Sequence, residues 1–186
     1  MKTLSFVLPM LLLSGTAHAA ADDPTEIVET VTEEAQDSLV DKKLTSAETE
    51  RLLEDVDVDG IARFALGKYA KSFSDAEYNA YEAAFRTYLR GQMEEHLAQF
   101  SSSEVDIVDE TQRGSQTIIE TKVTRADGEV MNVNWRLRRS SAGWEIIDVE
   151  AMNLWLAIEQ RAQFLAELDQ NGGDLGALVQ TIKAKS

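Results

Sequence analysis

The sequence predicts an α+β fold: a curved antiparallel four-stranded meander covered by helices on one face. Two observations carry this. Apolar residues recur at three- and four-residue spacing up to about Phe100, at every second residue from Glu104 to Val149, and at helical spacing again thereafter. Within the alternating region, Gly114, Asp127-Gly128 and Ala142-Gly143 mark turns, and the pieces between them leave no room for crossover helices. Neighbouring strands must then be antiparallel and joined by short loops. Helices gathered before and after one meander cover it from one side.

The elements follow in order. Asp23-Pro24 reads as a cap followed by proline at the first helical position, with Ile27, Val31, Ala35 and Leu39 along one face to about Asp41. Thr45 with Glu48 has capping-box spacing and opens a short helix through Leu52 and Leu53. A third helix runs from about Val58 to Leu66 and stops at Gly67. Ser74 with Glu77 is a second capping box, starting the longest helix, with Tyr78, Tyr81, Phe85, Tyr88, Leu89, Leu97 and Phe100 in its stripe. The strands are Glu104–Asp109, Gln116–Thr124, Val130–Arg139 and Trp144–Val149. In the third, Met131, Val133, Trp135 and Leu137 face one way and Asn132, Asn134, Arg136 and Arg138 the other. A helix from about Asn153 to Gln170 carries Trp155, Ile158 and Phe164; Asp174 caps a last short one.

The N-terminus predicts export. Lys2, the apolar run Phe6–Leu13 and the small-x-small sequence Ala17-His18-Ala19 form a signal peptide over residues 1–19, cleaved after Ala19. The run is too short for a bilayer, which takes about 20 apolar residues. Residues 20–186 then form one domain. With no Cys in the chain, no disulfide framework holds it and no lipidated thiol tethers it.

Charge excludes one class of partner. The chain has 18 Lys and Arg against 33 Asp and Glu, a net charge of −15. Such a surface repels nucleic acid and disfavours direct docking on an anionic membrane.

The chemical inventory is thin. Asp55, Asp57, Asp59 and Gly60 reproduce half of a calcium loop, but the twelfth position, where a bidentate Glu belongs, is Leu66. These acids read as helix-start residues, and no metal or cofactor is expected. With His18 removed, His96 is the remaining histidine, and a Cys nucleophile is impossible. No phosphate loop or nucleophile elbow is present. A buried Asp and Tyr acting as acid and base would leave no linear signature. A small-molecule isomerase or dehydratase on a cone-shaped fold therefore stands as an alternative, as does a ligand-free periplasmic adaptor.

Four phrases resemble a known family. Ile61-Ala62-Arg63-Phe64-Ala65-Leu66-Gly67-Lys68-Tyr69, Phe85-Arg86-Thr87-Tyr88-Leu89, Trp144-Glu145-Ile146-Ile147-Asp148-Val149 and Arg161-Ala162-Gln163-Phe164 are similar, in order and spacing, to motifs of the MlaC-type, or toluene-tolerance auxiliary, proteins. The chain departs from that pattern at Ala151-Met152-Asn153-Leu154, at Ala70 and at Met93. The resemblance implies a nuclear-transport-factor-two-like cone and a non-enzymatic periplasmic carrier that shuttles phospholipid between membranes and maintains outer-membrane lipid asymmetry. The implied partners are the phospholipid itself, an MlaA–porin complex at the outer membrane and an MlaFEDB transporter at the inner membrane. Periodicity and resemblance together name Phe64, Leu66, Tyr81, Phe85, Leu89, Val133, Trp135, Leu137, Ile146, Trp155 and Ile158 as expected contacts for acyl chains.

Overall fold

The computed structural model describes residues 23–39, 43–141 and 143–185, so the expected signal peptide and its cleavage after Ala19 lie outside the described residues. Among the described residues six α-helices and five strands follow one another as α1 (Pro24–Ser38), α2 (Ser46–Leu52), α3 (Val58–Leu66), α4 (Asp75–His96), β1 (Glu104–Arg113), β2 (Gln116–Thr124), β3 (Val130–Arg139), β4 (Trp144–Ala151), β5 (Leu154–Trp155), α5 (Leu156–Gln170) and α6 (Leu175–Ala184). Short 3₁₀ turns, Gly67–Tyr69 and Leu97–Phe100, extend α3 and α4. The caps behave as their chemistry requires. Both capping boxes close reciprocally, Thr45 with Glu48 and Ser74 with Glu77, and Asp23 and Asp174 accept from the first-turn N–H groups of α1 and α6.

The sheet is open and antiparallel, ordered β1-β2-β3-β4-β5. It has five strands where the sequence predicts four. The extra strand arises because Met152 and Asn153 both take left-handed backbone angles, φ 53° and 60°, and fold Leu154 back beside Ala151. This is the geometry of a two-residue hairpin turn, usually built from Asn and Gly. Asn153 therefore occupies the turn, and α5 begins three residues later than predicted, at Leu156.

That late start leaves α5 without a cap of its own, since Trp155 at the N-cap offers no acceptor. Asp148 on β4 supplies one from outside the helix. Its Oδ1 accepts from the Ala157 N–H at 2.8 Å and the Val149 N–H at 2.9 Å, and the residue is 4% exposed. The sheet thus fixes where the last long helix begins.

The apolar interior divides in two. One cluster is helical: Leu66, Tyr81 and Phe85 pack with Phe164, Leu168, Leu178 and Ile182 between α3, α4, α5 and α6. The rings of Tyr81, Phe85 and Phe164 lie 6.0–6.2 Å apart, with Phe164 edge-on to the other two. The second cluster joins α1 and α2 to one face of the sheet, through Ile27, Val28, Val31 and Leu52 against Ile119, Leu137 and Ile146. Half-buried Val56 and Met93 pack against both.

Asp148→Ala strands the first-turn Ala157 N–H and the Val149 N–H of β4, and is expected to cost about 2 kcal/mol in urea unfolding. Burial raises the Asp148 pKa, ahead of the opposing pull of the Ala157 and Val149 N–H groups and Arg136. The folded state therefore keeps its proton to higher pH than the unfolded chain. Ionisation of Asp148 costs nothing below the ordinary Asp range and progressively more as pH rises through the raised value. Asp148→Asn is accordingly expected to gain on the wild type in stability as pH rises above the ordinary Asp range. A difference that stays constant as pH rises would contradict this account.

Candidate functional site

The boundary between the two clusters is the candidate site. Leu89 and Met93 on α4 and Leu97 at the start of the 3₁₀ turn that extends it recur every four residues and so lie on one face. Leu89 packs against the helical cluster, Leu97 against the sheet cluster and Met93 against both, and all three are half-buried. Across from them the sheet contributes Trp135 and Val149, also half-buried and packed on the second cluster. These half-buried apolar side chains mark a seam where the two clusters meet.

Polar groups in the seam are few and mutually satisfied. The Trp135 indole N–H donates to Thr121 Oγ1 at 3.0 Å, and Thr121 in turn donates to the Val133 carbonyl. The Tyr88 hydroxyl bonds the Gln160 side chain at 3.0 Å, tying α4 to α5. Near the end of the sheet where Val133, Ala151 and Leu154 pair, large apolar side chains stand in water. Met152 is 77% exposed, Leu154 and Leu156 each 53%, and Ile158 48%. Four such residues in a stretch of seven concentrate apolar exposure at this end of the sheet.

The predicted contact residues distribute unevenly about this seam. Leu89, Val133 and Trp135 line it or adjoin it. Ile158 is one of the exposed apolar residues. Leu66, Tyr81 and Phe85 lie within the helical cluster, and Leu137 and Ile146 within the sheet cluster, all at most 2% exposed. Phe64 faces solvent at 42% exposure, with the Arg161 guanidinium 4.7 Å from its ring centre. Trp155 sits on the opposite face of the sheet, under the Arg136 guanidinium at 3.8 Å. In the sequence Met93 and Met152 stand only as departures from a motif, and Leu156 is not singled out. The four-residue spacing of Leu89, Met93 and Leu97 was a usable signal; the exposed residues had none, because exposure leaves no trace in periodicity.

The buried groups able to act as acid or base are already engaged. Tyr81 donates its hydroxyl to the Ala62 carbonyl at 3.0 Å, and burial raises its pKa. Tyr78 donates to Asp59 Oδ1 at 2.8 Å, and burial raises it too. Asp59 is held below its usual range, first by the hydrogen bond from Arg63. Asp57, in the half calcium loop, caps α3 through Gly60 N–H and pairs with Arg138. Among the described residues no cluster of His, Asp and Glu is arranged to hold a metal.

The sequence matches the MlaC protein family over residues 24–184. The chain belongs to the MlaC family. A solved phospholipid-binding protein from Ralstonia solanacearum, in complex with a phospholipid, superimposes with a TM-score of 0.77 at 18% identity, over 88% of this chain and 96% of that one. At that identity the likeness establishes a shared fold.

The longest MlaC-type phrase is explained by packing between α3 and α5. Gly67 has φ 52°, and a Cβ there would meet the Arg161 guanidinium at 3.0 Å and Leu165 at 3.1 Å. Arg161 donates to the Phe64 carbonyl at the end of α3, while Lys68 and Tyr69 both reach Asp169 at 2.7 Å. The phrase thus locks α3 to α5 within the helical half.

Two substitutions separate core from wall. Phe85→Ala is expected to destabilise by about 4 kcal/mol, as for a large ring removed from a closed core. Leu89→Ala, at a half-buried position, should cost about 1 kcal/mol. Equal losses in urea unfolding would place Leu89 in the core.

Proposed function

We propose that this MlaC-family protein is a periplasmic phospholipid carrier that holds acyl chains in the seam between its two apolar halves. The observation that carries the reading is the seam itself, half-buried apolar side chains from α4 and β3–β4 between two cores, together with the exposed apolar residues Met152, Leu154, Leu156 and Ile158. Leu89, Met93, Leu97, Val133 and Trp135 are the proposed tail contacts, with Ile158 at the entrance. The shared fold with a protein solved around a phospholipid supports the same reading.

Energetics favour a carrier whose cargo does not leak. Each buried methylene contributes about 0.8 kcal/mol, so two acyl chains supply on the order of 20 kcal/mol before the costs of binding. Release then depends on a partner that opens the seam. The MlaA–porin and MlaFEDB complexes are the proposed donor and acceptor, and shuttling between them would maintain outer-membrane asymmetry. A carrier rather than an enzyme is further supported by the commitment of Asp148 and Tyr81 to backbone partners.

Native mass spectrometry of protein purified from the periplasm should show phospholipid near one molecule per chain, released by solvent extraction. Met93→Trp, filling the seam, should lower that occupancy severalfold while leaving the unfolding midpoint within the range of a surface change. A lipid-free mass that persists after incubation with phospholipid would overturn the carrier reading.

A further inference from the structure

The sheet face turned away from α1 and α2 carries a groove of about 630 Å³, lined by Asp109, Arg113, Ile118, Glu120, Arg136 and Glu150 among others, with Trp155 at one end. Its charges are unusually arranged for so acidic a chain. The Arg136 guanidinium is mostly buried and clamped, stacked 3.8 Å from the Trp155 ring centre. The nearest carboxylate oxygen, Asp148 Oδ2, stands 3.7 Å off in a long ion pair without a hydrogen bond, while Oδ1 is bonded to two backbone N–H groups. Among the described residues no group accepts a hydrogen bond from the Arg136 side chain, and the Arg113 side chain has neither hydrogen bond nor ion pair. An arginine so held presents unsatisfied, oriented donors suited to an anionic oxygen.

Among the described residues the acids of the groove meet no cation. Glu150 accepts from the Asn134 amide at 2.6 Å, Glu120 from Asn132 at 3.0 Å and Asp109 from the Thr111 hydroxyl at 3.2 Å, neutral donors in each case. Strand register sorts these charges into rows. Asp109 lies opposite Glu120, Glu120 opposite Asn134, and Asn134 opposite Glu150, which pairs with Trp155. The next outward-facing row is Thr111, Ile118 and Arg136, and the one beyond begins at Arg113 and Gln116. An acidic row therefore runs beside a basic side, two residues or about 7 Å apart along the strands.

We propose that this groove binds a zwitterionic phosphoethanolamine-type group, its phosphate on Arg136 and Arg113 and its ammonium on Asp109, Glu120 and Glu150. The group is either a free phosphoethanolamine or the headgroup of a phosphatidylethanolamine. The site lies on the face opposite the seam and is independent of the acyl-chain reading.

Trp155 within the groove gives the readout. Tryptophan fluorescence of the full mature chain is titrated with O-phosphoethanolamine, and separately with dihexanoyl phosphatidylethanolamine below its micelle concentration. Inorganic phosphate and dihexanoyl phosphatidylglycerol serve as comparisons. A saturable change is expected that vanishes in Trp155→Phe and weakens about tenfold or more in Arg136→Gln and in Arg113→Gln. Arg113 makes no contact the fold depends on, so its variant remains informative if Arg136→Gln fails to fold. Glu120→Gln should weaken both ethanolamine probes and leave phosphate unaffected. Response to the free compound assigns a soluble ligand, and response to the short-chain lipid alone assigns a headgroup. Lipid occupancy of the seam, read by native mass spectrometry, should be the same in Arg113→Gln as in wild type, which separates the two sites. No saturable response to either ethanolamine probe, equal affinity for inorganic phosphate, or undiminished binding by Arg113→Gln would overturn the proposal.

Discussion

The structure depends on a division of its apolar interior. Burial of apolar surface is the main favourable term in folding, and a chain of this size can gather it into one core. Here α3 to α6 close on Tyr81, Phe85 and Phe164, while α1 and α2 close on the sheet at Ile119, Leu137 and Ile146. Each half is well packed by itself, and the contact between them is left to half-buried side chains such as Val56 and Met93. A dense interior resists the insertion of even one methylene. A boundary between two cores can be parted without emptying either, and the proposed carrier function uses that property.

The joint between the halves is polar and specific. Asp148 on β4 caps α5, so the sheet positions the helix that belongs to the other core. Val56 and its neighbours form the second connection, with Asp57 N–H donating to the Ile146 carbonyl and Ile146 N–H to that of Asp55. Lys68 and Tyr69 on Asp169, with Arg161 on the Phe64 carbonyl, stiffen the helical half. The halves are also tied between α2 and α4, where Glu50 faces Arg86 and Arg90 and the Ser46 hydroxyl donates to Glu94; the proposed carrier function places the compliant part between α4 and β3.

Much of this was legible in the residues. The spans of β2 and β3, both capping boxes and the helical stripe of α4 follow directly from local chemistry. Other features were hidden for definite reasons. The β5 hairpin turns on Met152, a residue that rarely adopts a left-handed backbone, so no turn signal announced it. A register shift where β4 passes Arg136 and Leu137 reverses the alternation, so that Asp148 and Trp155 face away from Ile146. Periodicity identified the buried face of α4 but not which core each residue enters; Phe85 and Leu89 are indistinguishable by spacing, yet one is core and the other wall. The groove on the outward face was legible only as alternating polar positions of β3. Its sorting of charges into rows depends on register across four strands, which no single segment encodes.

The central claim is that the two cores separate around a lipid. Because the chain has no Cys, a labelled pair can be introduced without background. Ala83→Cys on α4 and Lys122→Cys on β2 are exposed positions, one on each half. Pulsed electron–electron double resonance between spin labels at these sites, on lipid-loaded and delipidated protein, measures the separation directly. The account predicts a distribution shifted to longer distances when lipid is bound. Superimposable distributions, with lipid occupancy verified in the loaded sample, would contradict it.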